Sequence, residues 1–187
     1  MNAATDSPNT GRLVASEFVG TTIVMLGGPG LLVLGGDDLG RVGVAIGFGL
    51  STALAIGVIG AVANPMFSLA LWFAKAITTK EAVSDWIGQF LGGIFGAALI
   101  YGLNESSRFT SGTNGWETES DVGVQISGFQ ELGNVLAAEL VLATILVVVL
   151  LSSIKEQRSN AASATFVGGA VALAALFLHP ISGIGVN

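Results

Sequence analysis

The sequence predicts an all-α membrane protein, and three observations carry that reading. Its 187 residues are 51% hydrophobic, only 11% charged, and have a mean hydropathy of +0.75, against a charged share of roughly 25% in soluble domains. Apolar segments recur at about 13–34, 42–63, 82–103, 131–154 and 161–180, each near the roughly 20 residues that a bilayer helix needs. Between the third and fourth lies NESSRFTSGTNGWETESDVGVQISGFQ, whose serines, threonines, glycines and acids make it a water-facing loop.

Taken in order, the first apolar segment follows twelve polar residues carrying one cation, Arg12. It is longer than a signal-peptide core and has no small-residue cleavage site, so it reads as a retained span. The second does not stop at residue 63. Its apolar run continues through Ala74, giving 33 residues from Val42, which as one helix would reach about 50 Å against a hydrocarbon core of about 30 Å. The run is broken inside AVANPMFSLALW, at Asn64-Pro65. Asn is a favoured N-cap and Pro a favoured first helical residue, so a new helix starts there. The residues from Pro65 to Ala74 cover about 15 Å, half of the bilayer core. A full span followed by a half-span predicts a re-entrant segment, which membrane depth tolerates only against protein or a water-filled cavity. A helix start in a surface loop would not be apolar on both sides of the break.

In the third segment Gly88, Gly92 and Gly96 repeat every fourth residue and make one smooth helix face for close packing. Trp72 and Trp86 read as anchors at the cytoplasmic interface. Placing Arg12, Lys75, Lys80, Lys155 and Arg158 on one side of the membrane leaves Arg41 and Arg108 on the other with Asp37, Asp38, Glu117, Glu119 and Asp121. The N-terminus is therefore expected in the cytoplasm.

The chain also repeats itself. ASEFVGTTIV at 15–24 matches AAELVLATIL at 137–146 in Ala, Glu, Val, Thr and Ile at the same offsets. Asn64 follows Glu17 by 47 residues, and Asn187 follows Glu139 by 48. The two glutamates are an odd number of spans apart, so the copies, about 13–103 and 131–187 of a single channel domain, sit upside down relative to each other. Inverted repeats with broken helices meeting at the midplane form a permeation architecture. Glu17 and Glu139 are intramembrane carboxylates, expensive enough that a role is assumed by default. They could relay protons in a transporter or act as fixed acceptors for the backbone of the re-entrant loops.

Other chemistry finds no support in the composition. Cysteine is absent and His179, beside Pro180, is the one histidine, so no thiol nucleophile, catalytic residue, metal site or cofactor is expected. No phosphate-binding glycine loop lies between a strand and a helix. The formal net charge of -6 argues against a nucleic-acid partner.

The chain resembles the aquaporin, or major intrinsic protein, family over nearly all of its length. The resemblance rests on ASEFVGT, GFGL, ANPMFSLALW for the first Asn-Pro-Ala box, AAELVLATIL, and ISGIGVN leading into the second box. It implies six spans, two half-helices meeting at the membrane centre, and a homotetramer with one pore per subunit. Three departures stand out. Met66 replaces the usual Ala of the box, the segment VIGAVAN is one residue short with Val62 where His is common, and the sequence stops at Asn187. By this reading five full spans and the first half-helix are present, and the second half-helix and sixth span are missing.

By the same resemblance Asn64, Pro65, Met66 and Asn187 belong to the pore boxes. Phe48, Ala175 and Ile184 belong to the narrow selectivity filter. Without the resemblance Phe48 is ordinary core or lipid-facing packing. Glu17 and Glu139 take the structural role. The expected function is passive passage of water and other small neutral solutes through a plasma (inner) membrane, in contact with lipid. A glycerol or small-polyol facilitator is the alternative, since Ala175 is small. A proton-coupled transporter and a non-conducting fragment remain as rivals. The orientation gives a direct test: a reporter fused at Gly115 should be extracellular and one at Gln157 cytoplasmic, and finding both on one side would sink the inverted-repeat reading.

Overall fold

The computed structural model describes residues 9–104 and 128–182, apart from the side chains at 36, 37 and 128–131. Among these residues every regular element is a helix. Helix α1 (Thr10–Met25) runs through a π-helical turn, Leu26–Gly30, into α2 (Leu31–Leu54), which ends in a second π-helical turn, Ala55–Ile59. Then follow the short α3 (Pro65–Phe73), α4 (Thr79–Leu103), α5 (Gly128–Lys155) and α6 (Asn160–Leu178). Gly40, at φ 60 and ψ 179 inside α2, takes a conformation that is essentially closed to other residues. It divides the continuous helix into separate spans.

Five stretches are long and apolar enough to cross a membrane: Thr10–Gly35, Asp38–Ile59, Thr79–Leu103, Leu132–Lys155 and Asn160–Leu178. They match the predicted spans, with shifted ends that have local causes. The first begins earlier because Asn9 caps it, its side chain accepting from Gly11 N at 2.9 Å. The third begins earlier because Thr78 and Glu81 form a capping box, Thr78 N donating to Glu81 Oε2 at 2.7 Å and Glu81 N to Thr78 Oγ1 at 3.2 Å. That arrangement satisfies reciprocal orphan donors of the first turn. The second ends at Ile59 rather than residue 63 because Gly60 turns left-handed at φ 76, which releases the next backbone N–H groups from the helix.

Packing is led by small residues. Helix α1 lies along α4, and α2 along α6, while α3 lodges against α4 and α5. A methyl group added at Gly88 would lie 2.5 Å from the Val14 carbonyl oxygen, and one at Gly96 2.6 Å from Met25 Cβ. The glycine face of α4 therefore admits the backbone of α1, and Gly92 meets the Phe18 carbonyl in the same way. The α2–α6 crossing uses a reciprocal pair absent from the sequence reading: a Cβ at Gly49 would meet the Gly168 carbonyl oxygen at 2.5 Å, and a Cβ at Gly168 would meet that of Gly49 at 2.5 Å. With lipid as apolar as the core, such van der Waals contact is what drives helix association.

The core sits where α3, α5 and α6 converge, with Phe67 and Leu71 of α3 against Leu146 and Leu150 of α5 and Val167, Val171, Ala174 and Leu178 of α6. Large apolar side chains face outward elsewhere, among them Val58, Phe90, Leu140 and Leu173, as a lipid-facing surface requires. We expect Gly168→Val to lower the thermal midpoint in detergent, by a loss of about 1–3 kcal/mol from overpacking. Gly93→Ala, where an added Cβ meets nothing within 4 Å, should leave it unchanged.

Candidate functional site

The site is assembled around the five residues that join the second span to α3. From Gly60 to Asn64 the chain is not helical, so its backbone donors need partners, and at this depth in an apolar bundle water cannot supply them. Ala61 N donates back to Ala55 O at 2.9 Å, and Glu17, on α1 and only 3% exposed, supplies the acceptors for Val62 and Ala63. Its Oε1 accepts from Val62 N at 2.7 Å and its Oε2 from Ala63 N at 2.8 Å. Ala63 has φ 48, a left-handed conformation that costs a residue with a Cβ about 1–3 kcal/mol. The carboxylate holding its N–H offsets that strain. Gln89 Nε2 of α4 completes the grip, donating to Glu17 Oε2 at 2.8 Å.

Asn64 then starts α3. It is extended at φ -152 and ψ 119, and its Oδ1 accepts from Met66 N at 2.9 Å. Only the oxygen of the carboxamide can take that N–H, so the cap fixes which way the amide faces, with Nδ2 on the opposite branch. Pro65 at the first helical position gives up a donor that the helix does not use. Nine residues later the helix stops in a Schellman motif: Lys75, at φ 59, donates to Trp72 O at 3.0 Å and Ala76 N to Leu71 O at 2.9 Å. Met66 is half-buried and packs against the core. With Pro65, Leu69 and Trp86 it lines an open cleft of about 570 Å³.

Trp86, read from the sequence as an interface anchor, also makes a contact between helices. Its Nε1 donates to Pro65 O at 3.3 Å, tying α4 to the first turn of α3. Trp72 Nε1 donates to Thr79 Oγ1 at 3.1 Å, at the turn between α3 and α4.

The structure brings Phe48 and Ala175 together. Ala175 is fully buried with Val44 and Ala45, and Phe48 packs against this cluster. The Phe48 ring also lies against Gly28 in the first π-helical turn, where a Cβ would come within 2.8 Å of it. Ile184 and Asn187 lie outside the described residues. Glu139 is half-buried and accepts from Ser182 Oγ at 2.5 Å, while the segment it was expected to hold also lies outside the described residues. His179 is half-buried at the end of α6. Burial pushes its imidazole below the usual range, and Arg41 adds to the shift.

The sequence reading missed three participants: Ser68, Asp85 and Gln89. Ser68, fully buried on α3, donates to Asp85 Oδ2 at 3.1 Å and accepts from Gln89 Nε2 at 2.9 Å. Among the described residues no group of His, Cys, Asp and Glu could hold a metal ion.

Comparison with known proteins gives this geometry a family context. The family profile described as Major intrinsic protein matches residues 4–187. Over 184 residues the chain is 27% identical to Aquaporin Z of Photorhabdus laumondii subsp. laumondii, an alignment covering 94% of this chain and 80% of that protein. Over 180 residues it is 31% identical to Aquaporin Z of Brucella melitensis biotype 1, covering 90% of this chain and 75% of that protein.

Glu17→Gln tests the grip on the loop. The substituted amide puts an NH2 group where one of the two oxygens was, so whichever of the Val62 and Ala63 N–H groups faces it loses its acceptor in a buried setting. A loss of about 1–3 kcal/mol of stability is expected, together with faster hydrogen exchange in the peptide that spans them. Unchanged exchange there would show that the carboxylate does not carry the loop.

Proposed function

Because the chain belongs to the major intrinsic protein family, we propose that it is a passive channel for water through the membrane. The observation that carries the reading is the short α3, capped by Asn64 and held in the bundle by Glu17. The N-terminus of such a helix presents unsatisfied N–H groups and roughly half a positive charge. It repels cations and offers donors to a water oxygen. In aquaporin-type pores generally, diameter, lining donors and the field of half-helices together exclude ions and protons.

In this reading Asn64, Pro65 and Met66 form one half of the central constriction and Asn187 begins the other. Phe48, Ala175 and Ile184 belong to the narrower filter. The repeats at about 13–103 and 131–187 are inverted, and Glu139 is the counterpart of Glu17. The N-terminus is cytoplasmic, the membrane is the plasma (inner) membrane, and the outward apolar faces serve both lipid and a homotetramer. No reaction is catalysed, so no acid, base or cofactor is needed.

Water is favoured over glycerol because both relatives bear the name Aquaporin Z. A proton carrier would need Glu17 free to exchange its proton, whereas backbone and Gln89 donors hold both its oxygens. The full-length protein in phosphatidylcholine vesicles should therefore speed shrinkage after an osmotic step well above bare lipid, and an imposed pH gradient should leave solute flux unchanged. Shrinkage no faster than bare lipid would refute the channel, and flux driven by the gradient would favour the transporter.

A further inference from the structure

The buried carboxylate that the channel reading does not use is Asp85. It lies on α4 seven residues beyond the Thr78 cap, about 10 Å into the helix, and is 6% exposed. Among the described residues no lysine or arginine pairs with it. A carboxylate at such a position is expensive without a partner, and its partner is the Ser68 hydroxyl at 3.1 Å.

The bond is informative because of what Ser68 gives up. A serine or threonine inside a helix usually turns its hydroxyl back to the carbonyl four residues earlier. Thr22, Thr52, Ser84, Thr144, Ser153 and Thr165 all do so here. Ser68 sits in the second turn of α3, where that carbonyl belongs to Asn64, and the Asn64 oxygen takes the Ser68 backbone N–H at 3.1 Å. The hydroxyl crosses to the neighbouring helix instead. A hydroxyl has one proton to give, and Ser68 gives it to Asp85.

The acceptor side of Ser68 is also committed. Gln89 Nε2 donates to Ser68 Oγ at 2.9 Å and to Glu17 Oε2 at 2.8 Å. One continuous chain of hydrogen bonds thus runs from the loop amides through Glu17, Gln89 and Ser68 to Asp85. Glu17 grips the residues before the Asn64 cap, and Asp85 grips the turn after it. Two holds on either side of one residue fix both its position and its tilt, whereas one hold would leave the helix free to pivot.

We infer that Asp85 is a positioning residue for the pore: through the Ser68 hydroxyl it fixes the axis of α3 and so the direction in which the Asn64 end faces. The inference rests on the channel reading for its functional consequence, and its structural part is measured without it. The experiment compares the full-length protein with Asp85→Leu, Asp85→Asn, Ser68→Ala and the Ser68→Ala/Asp85→Leu double variant. Hydrogen exchange of the peptides covering α3 is followed in detergent, and osmotic water permeability is followed in phosphatidylcholine vesicles.

Asp85→Leu should raise exchange in α3 by roughly tenfold, the weight of one buried hydrogen bond, and lower water permeability several-fold. Asp85→Asn keeps an acceptor oxygen for Ser68 and should restore most of both. Ser68→Ala breaks the same bond with Asp85 in place, so it should resemble Asp85→Leu even if the latter folds poorly. The double variant should be no worse than the stronger single one. Unchanged exchange in α3 for Asp85→Leu and Ser68→Ala, or failure of Asp85→Asn to rescue, would overturn the inference. If the parent protein conducts no water, the channel reading falls, and the exchange measurements still decide whether Asp85 holds α3.

Discussion

The structure depends on one carboxylate taking the backbone of a broken helix out of debt to water. Between Gly60 and Asn64 the chain leaves the helix, and a segment without internal hydrogen bonds cannot lie in a bilayer unless protein satisfies it. Glu17 meets that requirement with both oxygens. Because an isolated carboxylate in a membrane is itself costly, the arrangement is mutual: the loop amides stabilise the charge and the charge stabilises the loop. Neither is tolerable without the other, which ties α1 to the start of α3.

From that point the polar groups form a single connected system. Gln89 joins Glu17 to Ser68, Ser68 joins Gln89 to Asp85, and Trp86 reaches the Pro65 carbonyl from the same helix. Helix α4 thus holds α3 from one side, while Phe67 and Leu71 bury its other side against α5 and α6. A polar network in a low-dielectric setting fixes geometry because each member left unpaired would be expensive. That rigidity suits a helix whose capped end must face one place.

The helices reach these distances because glycine removes side chains where backbones meet. On α4, Gly88, Gly92 and Gly96 let α1 come close enough for Glu17 and Gln89 to touch. On the other pair, Gly49 and Gly168 face each other's carbonyl oxygens. The polar network is therefore contingent on packing: bulkier residues on the glycine face would separate the donors from the carboxylate that accepts them.

The sequence alone determined the helical class, the five spans, the break at Asn64-Pro65 and the special status of Glu17, because each is written in local chemistry. Length and hydropathy set a span, an Asn-Pro pair starts a helix wherever it stands, and a charge within an apolar run is conspicuous by itself. The glycine spacing on α4 was legible for the same reason. What only the tertiary structure decided depends on which helices become neighbours. Asp85 reads from the sequence as one more polar residue near the charged start of a span, close to Lys80 and Glu81, and nothing local says that it faces Ser68. The bond from Trp86 to the Pro65 carbonyl likewise appears only once α3 is placed against α4. Gly49 and Gly168 lie far apart in a chain rich in glycine, so their pairing has no sequence signature. The end of the second span is decided in the same way, because apolar residues 60–63 look helical until Gly60 turns left-handed and Glu17, 45 residues before Val62, takes the N–H groups of Val62 and Ala63. Local pattern fixes elements, but a hydrogen bond between elements belongs to two places in the chain at once, and only folding brings them together.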